Sequence, residues 1–135
     1  MRQYYLWGKI RVASELIYAA IYRGAERVTE LLDQGHDINA RDENGTTALM
    51  HAFYSQRYDR NKVIEILIRR GANVSIKDHG VVKFGPGRVM SDPEGKSALS
   101  KVRKELRRLD PVRHSVHFHE LKEIEKLLIE RGAVE

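Results

Sequence analysis

Three times in this chain an apolar pair, two polar residues and a glycine follow one another. The copies are Leu31-Leu32-Asp33-Gln34-Gly35, Leu67-Ile68-Arg69-Arg70-Gly71 and Leu128-Ile129-Glu130-Arg131-Gly132. Each closes a run with helical spacing: Val28, Leu31 and Leu32, for example, fall at i, i+3 and i+4 and share one stripe. A glycine at that place can adopt the left-handed conformation that stops a helix. The first two glycines are 36 residues apart, inside the window in which a recurring pattern means a solenoid. The second interval is 61 residues, so the last unit carries added material. A helix pair of this size cannot hide its apolar stripe alone, and each must stack on a neighbour.

The stretches between these endings repeat as well. Leu16, Ile17, Ala19 and Ala20 give a first apolar helix that Gly24 interrupts. After Gly35 comes a polar segment ending in Asn44-Gly45, a strong tight-turn signal. Thr46-Thr47 can cap the next helix, which carries Ala48, Leu49, Ala52 and Phe53, and Ser97 occupies the same place before Ala98-Leu99. A polar connector from Ser55 to Arg60 leads to a helix holding Val63, Ile64, Ile66, Leu67 and Ile68.

Asn44-Gly45-Thr46-Thr47-Ala48-Leu49-Met50 and Gly95-Lys96-Ser97-Ala98-Leu99-Ser100 read as openings, and Gly35-His36-Asp37-Ile38-Asn39 and Gly71-Ala72-Asn73-Val74-Ser75 as closings. Together they resemble ankyrin repeats, over residues 13 to 78 and 92 to 134. The resemblance implies an all-α solenoid of stacked antiparallel helix pairs with projecting hairpin turns. The expected organisation is one domain: an N-terminal cap (1–12), repeat 1 (13–43), repeat 2 (44–78), a hairpin insertion (79–91) and repeat 3 (92–135) with a long inter-helix segment. Tyr4, Tyr5, Leu6 and Trp7 are expected to cover the apolar end of repeat 1, with Tyr18 and Tyr22 assisting. The openings depart from the family pattern. Ala48 and Ala98 replace its proline, and Met50 and Ser100 replace its histidine, which removes a familiar stabilising hydrogen bond.

Two irregularities interrupt the array. Aligning Asp78 with Asp92 leaves 14 extra residues, whose core from Val81 to Met90 places two β-prone arms around Gly85-Pro86-Gly87. A β-hairpin finger projecting from the stack is expected there, with Phe84 or Met90 as an apolar anchor. The second irregularity lies between Leu99 and Gly132, a span of 33 residues where Leu49 to Gly71 takes 22. Leu99, Val102, Leu106 and Leu109 make one stripe of a long helix ending before Pro111. A connector from Pro111 to His119 follows, ordered in part by Val116 or Phe118.

Several function classes drop out. With no cysteine, the chain has no thiol nucleophile and no thiolate metal site. No Gly-x-Ser-x-Gly elbow, His-Glu-x-x-His helix or phosphate loop is present, so no catalysis and no cofactor are expected. His114, His117 and His119 cluster, but only Glu120 lies near enough to complete a metal site, and they read as loop or helix-start residues. Short apolar runs and the absence of a secretory-type start give the expectation of a cytoplasmic protein without a membrane span.

What remains is charge. Residues 96 to 114 hold seven basic groups and two acidic ones, which accounts for the entire formal net charge of +5. No helix-turn-helix, zinc-finger or basic-zipper setting accompanies them, and residues 96 to 113 contain no aromatic platforms, so nucleic acid is the lesser expectation. A protein with an acidic patch fits the same charge. The family resemblance places binding on hairpin tips and exposed first-helix surfaces. In this chain those are Asp42, Glu43 and Asn44, the finger with Phe84, Arg88 and Met90, and the helix around Arg103, Lys104, Arg107 and Arg108. The expected function is a non-enzymatic protein-interaction module, acting as a monomer or weak homodimer. An inhibitor or immunity-type protein that occludes its partner is its concrete form; a basic nucleic-acid adaptor is the alternative.

Overall fold

A computed structural model describes residues 15–42, 45–77, 81–83, 89–91 and 96–134. Six helices follow in order: α1 (Glu15–Tyr22), α2 (Ala25–Asp33), α3 (Ala48–Ala52), α4 (Arg60–Arg69), α5 (Ala98–Arg108) and α6 (Ser115–Glu130). They form three helix pairs stacked as an all-α solenoid, with α1 against α3, α2 against α4 and α4 against α6. The Tyr4–Trp7 cap lies outside the described residues.

The three glycine endings explain why α2, α4 and α6 stop where they do. Gly35, Gly71 and Gly132 have φ of 88°, 94° and 85°. In each case the glycine N–H reaches back three residues, at 3.0, 3.1 and 3.0 Å, and the next N–H reaches back five. The longer bonds, from His36, Ala72 and Ala133, end on the carbonyls of Leu31, Leu67 and Leu128. This double closure satisfies carbonyls that the helix end would otherwise orphan. The same three leucines are buried in a single continuous core with Leu16, Leu49, Ile64, Leu99 and Leu121. One residue type therefore does two jobs at each ending, filling the core and accepting the closing bond.

Helix starts are built alike. Thr47 Oγ1 accepts from the Met50 N–H at 3.5 Å, and Ser97 Oγ accepts from the Ser100 N–H at 3.2 Å. Both cap residues are extended and buried. Between the first two units, Gly45 turns at φ 73° and Arg41 bridges Thr47. The hydrogen bond expected to vanish with Met50 has a substitute. His51, one residue later, meets Asp42 Oδ2 at 2.6 Å, while Asp42 Oδ1 accepts from the Thr46 N–H at 3.0 Å.

The added length of the third unit is distributed differently from the sequence expectation. α5 has eleven residues where α3 has five, and α6 has sixteen where α4 has ten. Both helices are thus one and two-thirds turns longer, and the connector between them is short. Residues 115–119, expected in the connector, already belong to α6. Val116 does not order a connector either; it is exposed. Residues 81–83 and 89–91 form β1 (Val81–Lys83) and β2 (Val89–Ser91), an antiparallel pair. Their register, Val81 to Ser91, Val82 to Met90 and Lys83 to Val89, is symmetric in sequence about Pro86.

Candidate protein-binding surface

α5 sorts its cations by face. Ala98, Leu99 and Val102 are buried, and Leu106 and Leu109 lie half-buried against the core. Successive residues turn by about 100° in a helix, which puts Lys104 opposite that stripe, with Arg107 and Arg108 on either side of it. All three are exposed, and none has an ion-pair partner among the described residues. As cations in the last turns, Arg107 and Arg108 also complement the helix dipole, a modest structural benefit.

The other charges of the helix are occupied. Arg103 Nε sits 3.3 Å from Glu125 on α6, and Glu125 also meets Lys122 at 3.2 Å. Glu105 receives both ends of the Arg60 guanidinium, at 2.8 and 2.7 Å, a two-pronged pair between the second and third units. The Lys101 ammonium bonds the Tyr54 hydroxyl and lies 4.4 Å from the centre of that ring. Of the four cationic candidates on α5, the structure leaves Lys104, Arg107 and Arg108 presented and commits Arg103 to α6.

The remaining candidates are less uniform. Asp42 is largely buried, and both carboxylate oxygens serve its own turn through Thr46 and His51. It builds the hairpin instead of offering a carboxylate to a partner. Met90 sits in β2 opposite Val82. Glu43, Asn44, Phe84 and Arg88 lie outside the described residues. The histidines serve local structure: His117 Nδ1 meets the Asn61 amide at 2.9 Å, and His119 Nδ1 meets the Ser115 carbonyl at 2.7 Å. Among the described residues no cluster of three or more metal-ligating side chains exists, and no helix is long and apolar enough to cross a membrane.

The connector edge holds residues that the sequence did not single out. Ser55 Oγ donates to the Ile21 carbonyl at 3.0 Å, and Arg57 Nη1 donates to the Tyr22 carbonyl at 3.1 Å. Asp59 accepts from the first N–H of α2, at Ala25, at 3.0 Å, and from Arg57 Nε at 2.9 Å. Burial is the largest single influence on Asp59 and pushes its pKa up. The Arg57 hydrogen bond, the Ala25 N–H and the Arg57 charge together outweigh burial and hold it below the usual carboxylate range. Tyr58, next to this cluster, is 95% exposed with Arg57 5.5 Å from its ring centre. Tyr22 is also exposed and stacks on Tyr18 at 5.1 Å.

The family profile "Ankyrin repeats (3 copies)" matches residues 12–78. The ADP-ribosylation factor GTPase-activating proteins AGD4 and AGD2 of Arabidopsis thaliana are each 42% identical over 66 residues, which is 48% of this chain and 8% of theirs. The chain therefore spans under a tenth of the length of these curated relatives. A solved ankyrin repeat domain from Acinetobacter baumannii is similar over 97% of this chain and 70% of its own, at 19% identity and a TM-score of 0.48. Ankyrin-repeat domains generally serve as non-enzymatic protein–protein interaction modules. With its glycine-closed helix pairs and the profile match over residues 12–78, the chain carries an ankyrin-repeat domain.

Proposed function

We propose that this module captures a protein partner bearing an acidic patch, through the cationic outer face of α5. The observation that carries the reading is the contrast on and around that helix: Arg60, Lys101 and Arg103 have partners within the molecule, while Lys104, Arg107 and Arg108 point to solvent unpaired among the described residues. Exposed cations held on a rigid helix raise the encounter rate with an acidic surface and set its orientation. Arg103 supports that face from the α6 side. The finger, with Phe84, Arg88 and Met90, extends the contact, and the Glu43-Asn44 tip borders it. Occlusion of the partner, as in an inhibitor or immunity-type protein, is the mode of action, and the module works in the cytoplasm as a monomer or weak homodimer.

The test is a pull-down from the native host with the wild type and an Arg107→Glu, Arg108→Glu double variant at physiological ionic strength. Retention of one defined protein by the wild type and its loss in the variant is the expected result. Equal retention by both moves the site off α5. Sequence-independent binding of nucleic acid that falls steeply with added salt replaces the reading with that of a basic adaptor.

A further inference from the structure

Three of the four cation–π pairs among the described residues converge at the connector edge of the stack. Arg23 lies 5.7 Å from the Tyr18 ring centre, Arg57 5.5 Å from Tyr58 and Lys101 4.4 Å from Tyr54. Hydrogen bonds from Ser55 and Arg57 to the Ile21 and Tyr22 carbonyls fix this connector against the end of α1. Lys101 then ties Tyr54 to α5, one turn before Lys104 and two before Arg108. Tyr54 with Lys101 and Arg60 with Glu105 join this aromatic shelf to the helix that carries the cationic face. Tyr22 is 52% and Tyr58 95% exposed. Tyr22 lies beside Tyr18 and Tyr58 beside Arg57, and both rings keep a large open face.

We infer that the shelf and the α5 cations form one two-part site for an acidic protein segment carrying an aromatic or leucine anchor, the anchor lying on Tyr22 and Tyr58 and the carboxylates pairing with Lys104, Arg107 and Arg108. The inference rests on the reading of α5 given under the proposed function and names its partner more closely. Charge complementarity sets the acidic half: three unpaired cations on one helical face have no counter-charge among the described residues. Tyrosine and arginine side by side set the apolar half, because these residues supply large, stiff contact area at binding hot spots. The nearby Asp59 carboxylate is already spent on Arg57 and the Ala25 N–H.

The experiment selects binders to the full chain from a displayed library of random sixteen-residue peptides. Anisotropy titrations of the best peptide follow, against the wild type, Tyr22→Ala with Tyr58→Ala, and Arg107→Glu with Arg108→Glu. The expected selection is acidic sequences that each hold at least one aromatic residue or leucine. The tyrosine double variant should weaken the best peptide roughly tenfold while keeping the helical circular dichroism and melting temperature of the wild type. Acidic sequences without an apolar residue, no enriched sequence, or an affinity indifferent to the two tyrosines overturns the shelf. An affinity indifferent to the arginine reversal but lost with the tyrosines instead overturns the α5 reading, so the two failures are separable. Tyrosine-dependent self-association by light scattering, or preferential binding of an oligothymidine strand, also overturns the inference in favour of that occupant.

Discussion

The seam between the first and second units and the seam between the second and third draw on the same kinds of bond in different proportions. In the first, short side chains of the α3–α4 connector bond directly to backbone: Ser55 to Ile21, Asp59 to the start of α2, with Arg57 bridging Asp59 and Tyr22. At the opposite edge Asn39 accepts from the Asn73 N–H at 2.8 Å, so one closing turn holds the next. Arg70 also pairs with Asp33 at 2.7 Å across this first seam; in the second, contacts between long side chains predominate. Arg60 grips Glu105, Asn61 reaches His117 and Glu120, and Lys101 bonds Tyr54. Backbone capping is local and little affected by salt, whereas a half-exposed ion pair is screened. The two seams share a leucine core and differ in how far each relies on backbone capping, and the cation-rich helix belongs to the seam that relies on it less.

The largest effect should strike both seams together. Leu67 is fully buried on α4, which packs against both α2 and α6, and accepts the closing bond of its own helix. Leu67→Ala should cost about 3 kcal/mol in chemical denaturation, from lost transfer energy and the cavity left behind. A cost under about 1 kcal/mol would mean the stack collapses into that space freely.

Asp59→Ala separates the seams. It removes the acceptor of the Ala25 N–H and the partner of Arg57, and should cost roughly 2 kcal/mol. The pH dependence has a definite sign. Because the folded pKa of Asp59 is held down, its stabilisation is complete above the unfolded carboxylate value and fades as pH drops towards the folded one. Acid unfolding of the wild type should therefore be steeper below about pH 4 than that of Asp59→Ala.

Glu105→Gln probes the other seam. Leaving Arg60 without its carboxylate should cost about 1 kcal/mol, and the difference from wild type should shrink with added salt. Asp59→Ala should lose a smaller fraction of its cost to added salt, because the bond to the Ala25 N–H remains when the Arg57 pair is screened. Equal salt responses would erase the distinction between the seams.

Gly71→Ala should cost no more than Glu105→Gln. A Cβ there meets nothing within 4 Å, so only the positive φ of 94° opposes it. The expected loss is about 1 kcal/mol, read as a shift in the denaturation midpoint.

Much of the fold could be read from the chain because its signals are local. Leu31, Leu67 and Leu128 announce both burial and helix closure through their distance from a glycine, and all three behave so. Thr47 and Ser97 were legible as caps for the same reason. The start of α6 was not, because its first residues, Ser115 to Glu120, carry no buried stripe; the apolar face begins at Leu121. That portion is held instead by Asn61 from α4, a partner more than fifty residues away. The candidate surface was legible as an excess of charge and no further. Which cations are spoken for depends on contacts such as Arg60 with Glu105, 45 residues apart, and on Asp42 turning inward to His51. Tyr58 sits in a polar connector with no periodicity, so nothing in the sequence marked it as exposed next to Tyr22.

The most direct test of the cationic face is the affinity of the captured host protein for wild-type chain and for Arg107→Glu, Arg108→Glu, measured by titration calorimetry at ~0.15 M salt alongside a melting curve of each. The expected result is at least a roughly tenfold loss of affinity, with the helical circular dichroism retained and the melting temperature lowered by only a few degrees, because the arginines are unpaired and exposed and contribute only through the helix dipole. Undiminished affinity in a folded double variant would contradict the assignment of α5 as the binding face.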